Sequence, residues 1–175
     1  MQAYNADPEI ETVVNRIMSF ILDLCFEKEF QIKPEQPFNL NVCGDKRQAI
    51  PDFSLSGLGD SEAKFKGLLV VEDKTDKSQG DGEAQMIAEG IAVTQQEIWK
   101  TEWPLFMILC KGTKLSLYKA NFSKRLLDNV REGYDCAQKT IVQKLNKIIR
   151  LESSDDLVEI MRIFHIIKEE IKSRF

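Results

Sequence analysis

The chain has 175 residues, 43% of them hydrophobic and 30% charged, with a formal net charge of −4. That length and balance fit a single globular domain, and no apolar run approaches the roughly 20 residues that a membrane-spanning helix needs. Cys25, Cys43, Cys110 and Cys136 form no CxxC pair, and His165 is the only histidine; this argues against a disulfide framework or a zinc site and excludes any mechanism that needs two histidines.

The opening MQAYNADPEIE is acidic and lacks a signal-peptide layout, and scattered thiols point to a reduced, intracellular protein. Charge is unevenly spread. Residues 1–99 carry 9 Lys/Arg against 18 Asp/Glu, residues 100–150 carry 11 against 4, and residues 151–175 carry 4 against 6. An acidic half beside a basic segment is compatible with binding a phosphate backbone, and equally with solvated helix faces.

Asp7-Pro8 opens a first helix, with Asp7 as N-cap and Pro8 at the first helical position. Ile10, Val13, Val14, Ile17, Ile21 and Leu24 continue it at helical spacing to about Phe26. Residues 27–37, with Pro34 and Pro37, read as a loop. Phe38 to Val42 alternates as a strand, and Gly44 to Arg47 reads as a turn.

Ile50 to Thr75 is the stretch that carries chemistry. Two short apolar runs flank a turn-forming segment at Gly57 to Ser61; the first begins with Pro51-Asp52 and the second ends with Glu72-Asp73-Lys74. Alternation along a strand puts Asp52, Ser54 and Ser56 on one face and Phe53 and Leu55 on the other. Glu72 and Lys74 share a face with Val70, opposite Leu69 and Val71. Two carboxylates and an ammonium group can thus converge at the ends of apolar strands.

Residues 76–82 read as a turn-rich loop. A helix follows from about Glu83 to Lys100, with Ala84, Ile87, Ala88, Ile91 and Ala92 inward. Leu105 to Cys110 is a strand buried on both faces, Lys111 to Lys114 a turn, and Leu115, Leu117 and Tyr118 the next strand. A long helical segment is expected from Ser123 to Arg150, broken near Gly133. Asp155 or Ser154 caps a last helix with the stripe Leu157, Ile160, Met161, Phe164, Ile167 and Ile171, which His165 borders as a structural residue.

Pro51-Asp52 followed by Glu72-Asp73-Lys74, in this order and on strands, resembles the PD-(D/E)XK nuclease superfamily. Gln85 and the overall layout add a lighter resemblance to nuclease domains of Crinkler-type effectors. The resemblance implies an α/β fold with a restriction-endonuclease-like core: a central mixed sheet of four to five strands flanked by helices, with a C-terminal helical segment, in one domain over residues 1–175. It implies Mg²⁺ or Mn²⁺ held by Asp52, Glu72 and the main-chain carbonyl of Asp73, with Glu11 of the first helix as a further ligand and Glu9 in reserve. Asp52, Glu72, Lys74 and Gln85 are the implied catalytic set, Lys74 stabilising negative charge near the scissile phosphate. In parts of the superfamily that glutamine stands four residues ahead of a tyrosine; position 89 here is Glu, so the correspondence is incomplete.

The implied activity is metal-dependent endonucleolytic hydrolysis of phosphodiester bonds, in DNA before RNA. A catalytically silent nuclease-like module that binds nucleic acid or protein is the alternative from a different class. No membrane partner is expected; a homodimer or a place within a larger protein is left open, and a nuclear location follows from the DNA reading alone. The chain contains no GxxxxGK[ST] or GxGxxG fingerprint and no HRD or DFG. A paired-carboxylate glycosidase would leave Lys74 and the basic segment without a role.

Overall fold

A computed structural model of the protein describes residues 8–26, 30–57, 69–74, 82–96, 104–134, 139–145 and 147–173, without the side chains of 8–11, 69–70 and 73. The described elements are α1 (Pro8–Phe26), β1 (Phe30–Pro34), β2 (Phe38–Val42), β3 (Asp45–Ala49), β4 (Phe53–Gly57), β5 (Leu69–Lys74), α2 (Gly82–Gln96), β6 (Leu105–Lys111), β7 (Lys114–Ala120), α3 (Lys124–Glu132), β8 (Val142–Lys144), β9 (Ile149–Arg150) and α4 (Ser154–Lys172). The fold is α/β. A seven-stranded sheet runs in the order β1-β4-β5-β6-β7-β8, with β9 also on β7, and β2-β3 forms a separate hairpin.

β5 and β6 are parallel and every other pair is antiparallel. Parallel neighbours need a crossover, and α2 lies between them in sequence and packs over both. The sheet separates two apolar layers. On one face Val71, Phe53, Leu55, Phe106, Ile108 and Cys110 pack against α1 and α4. On the other, Leu105, Met107, Tyr118 and Ala120 pack against Met86, Ala92 and Val93 of α2, Leu127 of α3 and Phe38 of the hairpin.

Several sequence expectations are corrected. The sheet has seven strands rather than four or five, because three short segments join its edges. Residues 30–34, expected in a loop, form β1: Phe30 is buried, Pro34 ends an edge strand where no further ladder bond is required, and Phe26 stacks edge-on to Phe30 at 5.9 Å. The turn expected at Gly44–Arg47 is only Cys43-Gly44, both at positive φ (51° and 82°), as a two-residue hairpin turn of the I′ kind requires. Asp45 to Ala49 then forms β3, exposed except for Ala49.

The long helix expected over 123–150 stops at Glu132. Ser123 caps α3 through its Leu126 amide, and Gly133 closes it at φ 75°. A side chain at Gly133 would also meet Cys43 Cα at 3.1 Å. The residues beyond it contribute β8 and β9 instead. The cap of α4 is Ser153, whose hydroxyl accepts from the Asp156 amide, rather than Ser154 or Asp155. Ile160, Phe164, Ile167 and Ile171 form its buried stripe, while Leu157, Met161 and His165 are exposed.

The buried face of two helices is rotated from its expected position. In α1 it is Val14, Met18, Ile21, Leu22 and Phe26, with Val13 and Leu24 turned to solvent. In α2 it is Met86, Glu89, Gly90, Ala92 and Val93, with Ala84 exposed. Gly90 explains the second shift. An added Cβ there would stand 2.8 Å from Met107 Sδ and 3.1 Å from Leu105 Cδ2, so the helix axis sits against the strand at this point. Asp7, the segments 58–68 and 75–81, Lys100 and Cys136 lie outside the described residues; Cys25, Cys43 and Cys110 are not in disulfides. No helix among the described residues is long and apolar enough to cross a membrane.

This contact yields a test. Gly90→Ala should destabilise the protein by up to about 2 kcal/mol, the cost of overpacking less the roughly 1 kcal/mol by which alanine is the better helix former. A urea midpoint clearly above wild type would show that α2 does not seat on Leu105 and Met107 as described.

Candidate active site

The site is built where β4 begins and β5 ends. Phe53 pairs with Val71, so one further step in the same register sets Asp52 opposite Glu72. Directly opposed residues of an antiparallel pair share a face, with Cβ atoms about 5 Å apart. Val71 and Phe53 point into the α1/α4 layer, so Asp52 and Glu72 face α2, as the alternation predicts. Ser54 and Ser56 share that face and are buried, their hydroxyls donating to the carbonyls of Lys33 (3.3 Å) and Gln31 (3.5 Å).

Glu72 is 1% exposed. Lys74, two residues on and therefore on the same face, forms an ion pair with it and keeps 23% of its side chain exposed. The Lys74 ammonium is in direct contact with Glu72 Oε1, and Glu89 lies against the same carboxylate. Burying an ionised carboxylate costs several kcal/mol unless charge and hydrogen bonds compensate it, and here the compensation is partial.

The sequence reading missed Glu89. It lies on the inner face of α2, 2% exposed, with Oε2 lacking a directed hydrogen bond among the described residues. Gln85 Nε2 donates to its Oε1 at 3.0 Å. Burial, then the negative charge of Glu72, pushes the Glu89 carboxyl up to about 8; the Gln85 bond pulls it back, and contact with Glu72 and the field of Asp52 add to the rise. Burial pulls the Lys74 ammonium down, but the contact with Glu72 and the charges of Glu72, Asp52 and Glu89 outweigh it, and its pKa is raised. Lys74 is therefore a permanently charged donor. A signal for Glu89 was present: a lone acid in the stripe Met86, Gly90, Val93, at the position where the family pattern has tyrosine.

The structure thus brings Asp52, Glu72 and Lys74 together, and Gln85 reaches the cluster only through Glu89. Asp73 follows Glu72 on β5, level with Cys110 of β6; its side chain is outside the described residues. Glu9 and Glu11 lie in α1, whose buried face packs on the Val71 side of the sheet, away from Glu72; their side chains are also outside the described residues. Among the described residues no group of three or more His, Cys, Asp or Glu stands close enough to hold a metal ion. The donor chemistry nevertheless fits a hard divalent cation: Asp52, Glu72 and Glu89 offer carboxylate oxygens on the α2 side of the sheet, and oxygen is what such ions take.

α2 starts against this cluster. A Cβ at Gly82 would stand 3.0 Å from Leu109 Cδ1 and 3.2 Å from Lys74 Cγ. The Gly112 amide donates to the Lys74 carbonyl at 2.7 Å, which fixes the end of β5 to the β6–β7 turn.

No protein-family model matches the chain, and no curated protein matches it. Among solved structures, the crystal structure of SSO0001 is similar at 16% identity with a TM-score of 0.36, over 75% of this chain; the chain spans 63% of that protein's length. A likeness at that level carries no argument about this site.

The raised carboxyl sets a pH dependence. A group with a folded-state pKa near 8 and an ordinary value of 4.5 binds more protons when folded throughout that interval. Its contribution to stability is present at low pH and is lost as pH rises through the interval, by at most about 1.4 kcal/mol per pH unit. Metal-free Glu89→Gln should lack this decline and be more stable than wild type at about pH 8. Parallel pH profiles of the urea midpoint would mean that Glu89 is not held against Glu72.

Proposed function

We propose that this site binds Mg²⁺ or Mn²⁺ and hydrolyses phosphodiester bonds in nucleic acid, with DNA as the first substrate and RNA as the alternative. The observation that carries the reading is the cluster around Glu72: fully buried, opposite Asp52, paired with Lys74 and against Glu89, so that two buried acids share one cation.

Asp52, Glu72 and the Asp73 carbonyl would hold the ion, with Glu89 as an added carboxylate that the sequence pattern did not supply. When bound there, the ion supplies Lewis-acid chemistry to a phosphoryl group. Lys74 would act as a cationic donor toward charge that develops on phosphoryl oxygens; its raised pKa suits that role and not that of a base. Gln85 orients Glu89 through its 3.0 Å bond. Glu11 is a further ligand only if α1 brings it round the end of the sheet. A DNA substrate would in turn place the protein in the nucleus, which imaging of the tagged protein tests.

The absence of a three-residue ligand cluster among the described residues favours a second reading, a nuclease-like module that binds without cutting. Incubation of plasmid DNA and of a structured RNA with Mg²⁺, Mn²⁺ or EDTA separates the two. Metal-dependent cutting is expected, reduced at least about 10²-fold in Lys74→Ala and in Glu72→Gln. Equal activity in wild type and both variants would locate the chemistry elsewhere. Absence of cutting by folded wild type on both substrates would leave the binding module.

A further inference from the structure

The sheet register places four cations in one row that begins at the site. Lys74 of β5 is level with Lys111 of β6, Lys111 with Lys114 of β7, and Lys114 with Arg150 of β9. Cross-strand partners share a face, so all four occupy the α2 face of the sheet. The neighbouring positions agree. Leu109, two residues before Lys111, touches the start of α2 at Gly82, while Cys110, Leu115 and Ile149 are buried in the opposite layer. Lys111, Lys114 and Arg150 are exposed. At about 4.8 Å between strands the row spans about 14 Å, a length over which one strand of a duplex advances about four phosphates.

The row is anchored to the site by the Gly112 amide, which binds the carbonyl of Lys74, and by Leu151 N donating to Thr113 O at 2.8 Å, which holds β9 to the same turn. Its far end is bounded by acid. Glu152 accepts from the Thr113 hydroxyl at 2.6 Å, and Asp156 accepts from the Arg150 amide at 3.0 Å and pairs with Lys147 at 2.8 Å. The Thr113 bond, with Arg150 and Lys114 contributing, keeps the Glu152 carboxyl below its ordinary range. Other exposed basic residues are Lys124 and Arg125 on α3 and Lys46 and Arg47 on the hairpin, with Arg47 beside Asp45 at 3.6 Å.

We propose that Lys111, Lys114 and Arg150 form a phosphate-backbone track that leads a nucleic-acid strand across the ends of β6, β7 and β9 to Lys74. The track rests on the nuclease reading for its direction, but binding itself does not require cleavage. The strand crosses the sheet at right angles to the β-strands, and the contacts lie to one side of the scissile phosphate. They carry no sequence information, because the row offers charge and no base-reading side chain.

Affinity of the full chain for a short fluorescein-labelled DNA oligonucleotide, measured by anisotropy in EDTA across a salt series, tests the track. Each of Lys111→Ala, Lys114→Ala and Arg150→Ala should reduce the slope of log K against log salt by about 0.7–0.9. The triple variant should reduce it by about threefold that amount, whereas Lys46→Ala/Arg47→Ala leaves it unchanged. A wild-type slope in the triple variant, an equal loss in the hairpin control, or no binding by wild type would overturn the track. Cleavage is scored separately. If the track is right and the enzyme cuts, the triple variant raises KM and keeps kcat; binding with the expected slopes but no cutting by wild type would remove the nuclease reading and leave the track.

Discussion

The constraint on which the site depends is the burial of two carboxylates against each other. Glu72 and Glu89 are 1% and 2% exposed, and Lys74 is the cation that pairs with Glu72. Burial first, and then the like charge of Glu72, drives the Glu89 carboxyl toward its protonated form. An apolar pair at positions 72 and 89 would pack more stably. The fold instead holds acids at the centre of its own crossover unit, between β5 and α2, where neither can turn to water. On the proposed reading a divalent cation would offset the repulsion between these acids, a trade of stability for function.

The architecture serves that placement. β5 is central, with antiparallel β4 bringing Asp52 opposite Glu72 and parallel β6 requiring the α2 crossover that delivers Glu89. Gly90 lets α2 approach Met107 closely, and that close seat lowers Glu89 onto the strand. At its other end α2 is tied to the hairpin: Gln95, 7% exposed, accepts from the Asn41 amide at 2.9 Å and donates to the Asn41 carbonyl at 3.0 Å, imitating a neighbouring strand. The opposite layer, with Phe26 against Phe164 at 5.6 Å, supplies the apolar mass that makes the strands rigid.

The strand pair and its two faces were legible in the sequence because period-two alternation is strong there: Phe53 and Leu55 answer Val71, and Asp52 answers Glu72. The Leu105–Cys110 run was legible as an unbroken apolar segment, the next strand by the alternation of Leu115 and Leu117, and the span of α1 by its helical spacing from Pro8. The other misses have physical causes. β3, Asp-Lys-Arg-Gln-Ala, has no apolar pattern; pairing with β2 alone makes it a strand. β8 and β9 are three and two residues long at the sheet margin, too short to show a period, and they follow a helix whose spacing appeared to continue. Glu89 was passed over because hydrophobic periodicity counts apolar residues, and the inner face of α2 is set by a glycine and an acid. The cation row was invisible for a different reason: positions 74, 111, 114 and 150 meet only through register.

The most direct test is Mn²⁺ binding followed by electron paramagnetic resonance of the free ion, with wild type, Glu72→Gln and Glu89→Gln compared after circular dichroism has established that each is folded. If the buried acids form a cation site, wild type depletes free Mn²⁺ saturably, Glu72→Gln does not, and Glu89→Gln binds more weakly than wild type. Wild type that leaves free Mn²⁺ unchanged, or that binds it no better than Glu72→Gln, would contradict the metal site and with it the proposed hydrolytic activity.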